Sequence, residues 1–279
     1  MKVLKIRESQ YRKKKKKMLD LPVKIKSLIH EEMYSIDDVG MSDSTVIVFS
    51  DKILKIQTIS EEAENEFRVM EWLQGKLPVP KVLAYESDDK KTYLLMTKVP
   101  GEMACADQYL KDPEQLTAIL AEGLQMLWNV DINNCPYIWN LEKKLQMAKY
   151  IVGNNLVDIE NTEPDTFGES GFKDPNHLLE WLISNKPEEE LVFSHGDFCL
   201  PNIFLANGKV SGYIDLGRTG IADKWQDIAL CYRSLLHNFG GKYTGKQYQG
   251  FYPDMLFKKL GIEPNWEKIR YYILLDELF

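Results

Sequence analysis

Cysteine and histidine are scarce in this 279-residue chain. The four cysteines (Cys105, Cys135, Cys199, Cys231) are widely spaced, with no CxxC pair and no histidine cluster beside them. That argues against a zinc site and against a disulfide framework. Of the four histidines only His195 has a suggestive setting, so metal binding through imidazole is not expected; an oxygen-bound magnesium needs only carboxylates and amides. No run of about 18 apolar residues occurs, so no membrane-spanning helix is expected. The basic N-terminus is followed by neither an apolar run nor a small-residue cleavage site, so no secretory signal is expected. The expectation is a soluble, cytoplasmic protein without a membrane partner.

Apolar residues make up 44% and charged residues 28% of the chain, a globular balance rather than a disordered one. The length allows one large domain or two lobes of about 100 to 150 residues. Charge is unevenly placed: residues 1–20 carry nine Lys/Arg against two acids, and the whole chain carries −7, which leaves −14 on the remainder. The unbroken basic run Arg12 to Lys17 reads as a solvated, partly disordered tail or start-site extension over residues 1–18 rather than a contact for nucleic acid or an anionic membrane surface. The acidic remainder suits a cationic ligand.

Two short strands, Thr45–Phe49 and Ile53–Gln57, are joined by a compact Ser50-Asp51-Lys52 turn. From Glu61 to Gly75 the period changes, with Ala63, Phe67, Met70 and Leu73 at helical spacing. Pro78-Val79-Pro80 must be extended, and strand-like runs follow at Lys81–Tyr85 and Thr92–Thr97. After Pro100-Gly101 the pattern is mainly helical: Pro113–Val130, Leu141–Leu156 and His177–Asn185. Leu191–Gly217 alternates short apolar runs with turns, Asn207-Gly208 among them. The chain is therefore expected to be α+β and bilobal, with an N-terminal lobe over 19–97, a hinge over 98–103 and a helical lobe over 104–279.

The chemistry is concentrated in Ser194-His195-Gly196-Asp197-Phe198-Cys199-Leu200-Pro201-Asn202 and, thirteen residues on, Ile214-Asp215-Leu216-Gly217. Phosphoryl transfer needs an acceptor for the hydroxyl proton, oxygen ligands for magnesium and a cation on the phosphates. Asp197 suits the first role and Asn202 and Asp215 the second. An Asp and an Asn five apart is also the spacing of a kinase catalytic loop. In Ile53-Leu54-Lys55-Ile56, Ile53 and Lys55 share one strand face, so an apolar wall and an ammonium address one cleft. A glutamate of the next helix would hold Lys55; Glu64 is the better candidate, with Glu66 and Glu62 as competitors. Taken singly each piece is weak; their order along the chain makes them strong.

At these residues the chain resembles the aminoglycoside phosphotransferases, most closely the 3′-phosphotransferases. The likeness extends through Trp72–Val82, Val192–Asp197, Lys209–Asp227 and Trp266–Phe279, and covers about residues 20–279. It implies a protein-kinase-like bilobal fold, with a small antiparallel-sheet lobe and a larger, mainly helical one. It implies ATP or GTP as donor, Mg2+ as cofactor, an aminoglycoside as acceptor, and a monomer or weak homodimer that binds no nucleic acid. By this resemblance Asp197 is the base, Asn202 and Asp215 bind magnesium, and Lys55 with Glu64 holds the phosphates. Ser42, in the loop around Met41, would cover the phosphates. Met96, Thr97 and Val99 would form the adenine hinge, pairing at Thr97 and Val99, while Ile53, Phe204 and Ile214 line the nucleotide pocket. Arg218 and Arg233 resemble positions near the substrate, and Asp276, Glu277 and the Phe279 carboxylate resemble the drug-binding end. The acidic loop offers Glu160, Glu163, Asp165 and Glu169, with Glu163 and Asp165 preferred. Asp38–Ser44 holds one glycine, unlike a protein-kinase glycine-rich loop but like this family; the departures are Ile53 in place of an adenine-stacking aromatic, only eight residues between Lys55 and Glu64, and an acidic loop over 159–169 that aligns poorly.

Competing expectations are a kinase of the same fold acting on an amino alcohol or sugar, and a non-catalytic binding module. The acidic C-terminus disfavours the first, and the presence of Lys55, Asp197, Asn202 and Asp215 together disfavours the second.

Overall fold

The structure, a computed structural model, describes residues 21–30, 32–37 and 44–279. The basic run at 12–17 and the expected phosphate-covering residue Ser42 lie outside the described residues.

The chain begins with α1 (Val23–Ile29), β1 (Ser35–Asp37), β2 (Thr45–Val48) and β3 (Lys52–Thr58), followed by α2 (Glu61–Trp72), β4 (Val82–Ser87) and β5 (Lys91–Thr97). The five strands form one antiparallel sheet in the order β1-β2-β3-β5-β4. Alternation along β3 decides which side chain faces what. Leu54 and Ile56 join Ile25, Ile29, Ile47 and Leu95 in a small core beneath α1. Ile53 and Lys55 point to the opposite face, towards α2 and the rest of the molecule.

Beyond β6 (Glu102–Met103) the helices dominate: α3 (Asp107–Leu110), α4 (Pro113–Trp128), α5 (Leu141–Gly153) and α6 (Pro175–Ser184). Two short sheets interrupt them. β7 (Leu191–Ser194) pairs with β10 (Gly220–Asp223), and β8 (Ile203–Ala206) pairs with β6 and with β9 (Lys209–Tyr213). Asn207 and Gly208 both take positive φ, 52° and 73°, the left-handed pair that a two-residue hairpin turn requires. Then come α7 (Lys224–Gly240), α8 (Met255–Leu260) and α9 (Trp266–Asp276). Helix ends are capped as the sequence dictates: Ser60 accepts from the Ala63 amide, Asp112 from Gln115 and Asn140 from Lys143, each satisfying an amide the helix cannot.

One core runs without interruption from Val69, Leu73 and Met96 on the sheet side to Leu124, Phe193, Ile228 and Leu275 on the helical side. The junction is close-packed as well as hydrophobic. A Cβ on Gly101 (φ +93°) would lie 2.1 Å from the Leu205 carbonyl oxygen, and one on Gly212 would lie 2.2 Å from a Val99 methyl. Only glycine fits at either place. No helix among the described residues is long and apolar enough to cross a membrane.

Candidate active site

The loop after β7 is held from behind. Asp227, buried in the first turns of α7, accepts the backbone N–H groups of His195 (2.8 Å) and Gly196 (2.9 Å). Gly196 has φ +86°, and a Cβ there would meet the Arg218 carbonyl oxygen at 2.1 Å. His195 is fully buried; its Nδ1 takes the Asp197 N–H (3.3 Å), its carbonyl oxygen takes the Thr219 hydroxyl (2.7 Å), and burial holds its pKa down. His195 thus braces the loop as a neutral ring. Asp227 was not among the residues singled out from sequence, because a single acid in an amphipathic helix carries no local signal of what it will face.

Asp197 emerges from this clamp towards the cleft. Asn202 Nδ2 donates to both its carbonyl oxygen (3.0 Å) and its Oδ2 (2.9 Å), which turns the Asn202 Oδ1 away from Asp197. Burial pushes the Asp197 carboxyl above the usual carboxylate range and the nearby Asp276 adds to this, while Arg218 pulls the other way. The adjacent Cys199 thiol is pushed well up by burial and by Asp197, so it stays protonated and can donate to that carboxylate.

Lys55 Nζ lies 2.8 Å from Glu66 Oε2 and 2.5 Å from Asp215 Oδ1. Burial lowers the pKa of Lys55, yet the two carboxylates outweigh it and hold the ammonium charged. Asp215 feels the converse: burial raises its pKa, Lys55 more than offsets that, and the group stays ionised. Asp215 has φ +60°, a left-handed conformation that costs a non-glycine residue energy and is held by its surroundings. Those surroundings include α2, whose Asn65 amide donates to the carbonyls of Gly217 (2.9 Å) and Thr219 (3.0 Å).

The partner of Lys55 is therefore Glu66, and the expectation of Glu64 is corrected. Glu66 lies three residues after Ala63 and four before Met70, on the buried face of α2. Glu64 is on the opposite face, exposed and paired with Arg68 at 2.5 Å. The helical period was enough to find this, since Ala63, Met70 and Leu73 define the stripe to which Glu66 belongs.

The remaining expected nucleotide residues lie on β3, β5, β8 and the segments that follow β5 and β9. Ile53 pairs with Met96 across β3 and β5, and Val99 packs on Gly212 behind them. Phe204 lies opposite Gly212 and Met103 in the short sheet, and the Ile214 N–H donates to the Asn202 carbonyl (3.0 Å). The Thr97 N–H is already committed to the Lys81 carbonyl (2.9 Å), so its backbone has only the carbonyl to offer a purine.

Five of the expected acceptor residues, Glu163, Arg218, Arg233, Asp276 and Glu277, form one ionic network. Arg233 pairs with Asp276 and with Glu277 (2.9 Å), and Arg218 with Glu62 (3.0 Å) and Asp276 (3.9 Å). The Arg218 guanidinium also lies 4.8 Å from the centre of the Phe279 ring. Glu277 accepts the Glu163 N–H (2.7 Å), while the Glu163 carboxylate meets Lys242 (2.6 Å) and His237 (3.0 Å). Asp165 is exposed on the same loop. The terminal acids are thus not a bare negative surface; each is matched by an arginine.

Hard oxygen donors suit magnesium, which keeps several waters and needs only one or two protein ligands beside the phosphates. The Asp215 carboxylate and the outward Asn202 Oδ1 fit that donor set. Among the described residues no cluster of three or more His, Cys, Asp or Glu side chains is arranged to hold a metal ion alone, so the fit is to a metal brought with phosphate.

Comparison with known proteins agrees with this geometry. Residues 36–272 match the model of the phosphotransferase enzyme family. An aminoglycoside 3′-phosphotransferase of Enterococcus faecalis is 44% identical over 245 residues, covering 86% of this chain and 87% of the relative. One from Staphylococcus aureus is 43% identical over 244 residues with the same coverage. In fold, the chain resembles the crystal structure of a type VIII aminoglycoside-3′-phosphotransferase, with TM-score 0.77 at 24% identity over 92% of this chain and 98% of the other. It also resembles a Streptomyces rimosus aminoglycoside phosphotransferase in complex with ADP and streptomycin, with TM-score 0.74 at 22% identity over 91% and 96%. The chain belongs to the phosphotransferase enzyme family, with the aminoglycoside 3′-phosphotransferases as its relatives.

Proposed function

We propose that the chain moves the γ-phosphoryl group of ATP or GTP to the 3′-hydroxyl of an aminoglycoside, with Asp197 as the group that receives the hydroxyl proton. The observation that carries this reading is two built sets joined by the Ile214 N–H, beside Asp215, donating to the Asn202 carbonyl. Lys55 is locked to Glu66 and Asp215 in one set, and Asp197 is locked to Asn202 in the other.

In the transfer the acceptor oxygen forms a bond to the γ-phosphorus, the bond from that phosphorus to the β,γ-bridging oxygen breaks, and the nucleoside diphosphate leaves. Little covalent chemistry falls to the protein; positioning and charge dominate. The Lys55 ammonium offers positive charge to the phosphates. Asp197, with its basicity raised by burial, orients the hydroxyl and takes its proton. Mg2+, held by Asn202 and Asp215 with the nucleotide, would supply charge neutralisation on the phosphate oxygens. Arg218 and Arg233 keep Asp276 and Glu277 in place, and these acids with Glu163 and Asp165 would meet the ammonium groups of the acceptor. A phosphate on the drug adds negative charge and removes a hydroxyl donor. Both weaken binding to polyanionic RNA, which is how transfer gives resistance.

The test is ADP production with magnesium and ATP, compared for kanamycin, choline and no acceptor. Kanamycin-dependent turnover is expected. Turnover with choline but not kanamycin would replace this reading by that of an amino-alcohol kinase.

A further inference from the structure

Behind the catalytic loop lies a buried ammonium that the transfer itself does not use. Lys144, on α5, is 3% exposed. Its Nζ donates to Gln226 Oε1, and Gln226 Nε2 donates to the carbonyl oxygen of Gly196 at 2.7 Å. We propose that Lys144 and Gln226 act as a positioning relay that fixes the Gly196–Asp197 peptide and so aims the Asp197 carboxylate. The proposal rests on the reading of Asp197 as the base.

The chemistry of the chain of contacts leaves one arrangement. An ammonium only donates and a backbone carbonyl only accepts. The Gln226 amide between them must therefore turn its oxygen to Lys144 and its nitrogen to Gly196. Asp227 already holds the N–H of Gly196, and the Arg218 carbonyl closes the side where a Cβ would sit. Those contacts hold the preceding peptide; on the Gly196–Asp197 plane itself the carbonyl, taken by Gln226, is one of two handles, the other being the Asp197 N–H. Rotation of that plane would carry the Asp197 N–H away from His195 Nδ1, with which it makes a 3.3 Å contact.

The cost of the arrangement points the same way. Asp227, Asp276, Glu189 and the opposing Arg218 act on Lys144 only through space, and burial brings its pKa down to about 8. A buried charge whose direct partner is a neutral amide destabilises a fold, and an apolar side chain of similar length would pack there more cheaply. Charged or neutral, the lysine nitrogen still carries N–H groups to donate, so the relay survives its titration.

The experiment uses the full chain with Lys144→Met, Gln226→Met, the double variant and Asp197→Asn, and measures kcat, nucleotide KM and thermal midpoint. Each single variant is expected to lose roughly ten- to hundredfold in kcat with nucleotide KM within about twofold. The double variant should be no worse than the poorer single one, and Lys144→Met should melt no lower than wild type. Additive losses, or a Lys144→Met enzyme that melts lower at undiminished kcat, would overturn the relay. If Asp197→Asn keeps wild-type turnover, the base reading has failed and the relay goes with it; additive losses beside an inactive Asp197→Asn overturn the relay alone.

Discussion

Single residues carry the distinction between a phosphate grip and a surface ion pair. Glu66 is 1% exposed and touches the Lys55 ammonium, whereas the Glu64 side chain is 54% exposed and touches Arg68. Losing one carboxylate of a buried set costs up to about 3–5 kcal/mol, less where a second one such as Asp215 still faces the ammonium, while an exposed helix pair contributes about 0.3–0.5 kcal/mol. Glu66→Gln is therefore expected to raise the nucleotide KM at least about tenfold, and Glu64→Gln to leave it unchanged; steady-state kinetics on both variants decides, and the reverse order would return the role to Glu64. Lys144 supplies a second residue-scale prediction. Its folded pKa of about 8 lies below its ordinary value of 10.5. Between those two values the unfolded chain binds a proton that the folded chain does not, so stability conferred at this site rises with pH. Urea unfolding at pH 8 and pH 10 should show wild type gaining on Lys144→Met by about 1 kcal/mol or more per pH unit at most of that interval. Parallel pH profiles would show that the lysine is not desolvated as described. Asp197, Asn202, Asp215 and Lys55 were legible in the sequence because their chemistry and order are specific. Asp227, Gln226 and Lys144 were not, since their roles come from what α5 and α7 place behind the loop.

At the scale of elements, α2 does two jobs at once. Its buried stripe brings Glu66 to Lys55, and Asn65 on the same helix ties down the carbonyls of Gly217 and Thr219. The helix thus couples the phosphate grip to the turn that carries Asp215. Asn65→Ala leaves two carbonyls without their donor, so it should cost about 1–3 kcal/mol of stability, read from urea midpoints, and should raise the nucleotide KM as well. A stable variant with unchanged kinetics would mean that the turn holds Asp215 unaided. The hairpin strands, α2, α4, α5 and α6 were all readable from period and punctuation, with ends displaced by a few residues. The pairing of β7 with β10 was not, because strands separated by a hairpin and a turn leave no local trace of their partner.

Over the whole molecule the acidic excess is organised rather than spread. Asp276 and Glu277 are neutralised by Arg233 and Arg218, and the loop acid Glu163 is held by Lys242, His237 and, through its N–H, Glu277. Composition gave the sign of the field but not this matching, which depends on α7 and α9 lying side by side. An incoming polycation has to exchange with Arg218, Arg233 and Lys242, so Glu163→Gln should raise the aminoglycoside KM about tenfold through loss of a charged contact and leave the nucleotide KM alone. An equal effect on both would place Glu163 in the fold rather than in the acceptor site. The central claim concerns Asp197, and the most direct measurement is single-turnover phosphate transfer to kanamycin by Asp197→Ala, with nucleotide binding followed by calorimetry on the same preparation. Transfer should fall by at least about a hundredfold while nucleotide affinity stays within about threefold of wild type. Retained transfer, or loss of nucleotide binding in its place, would contradict the assignment.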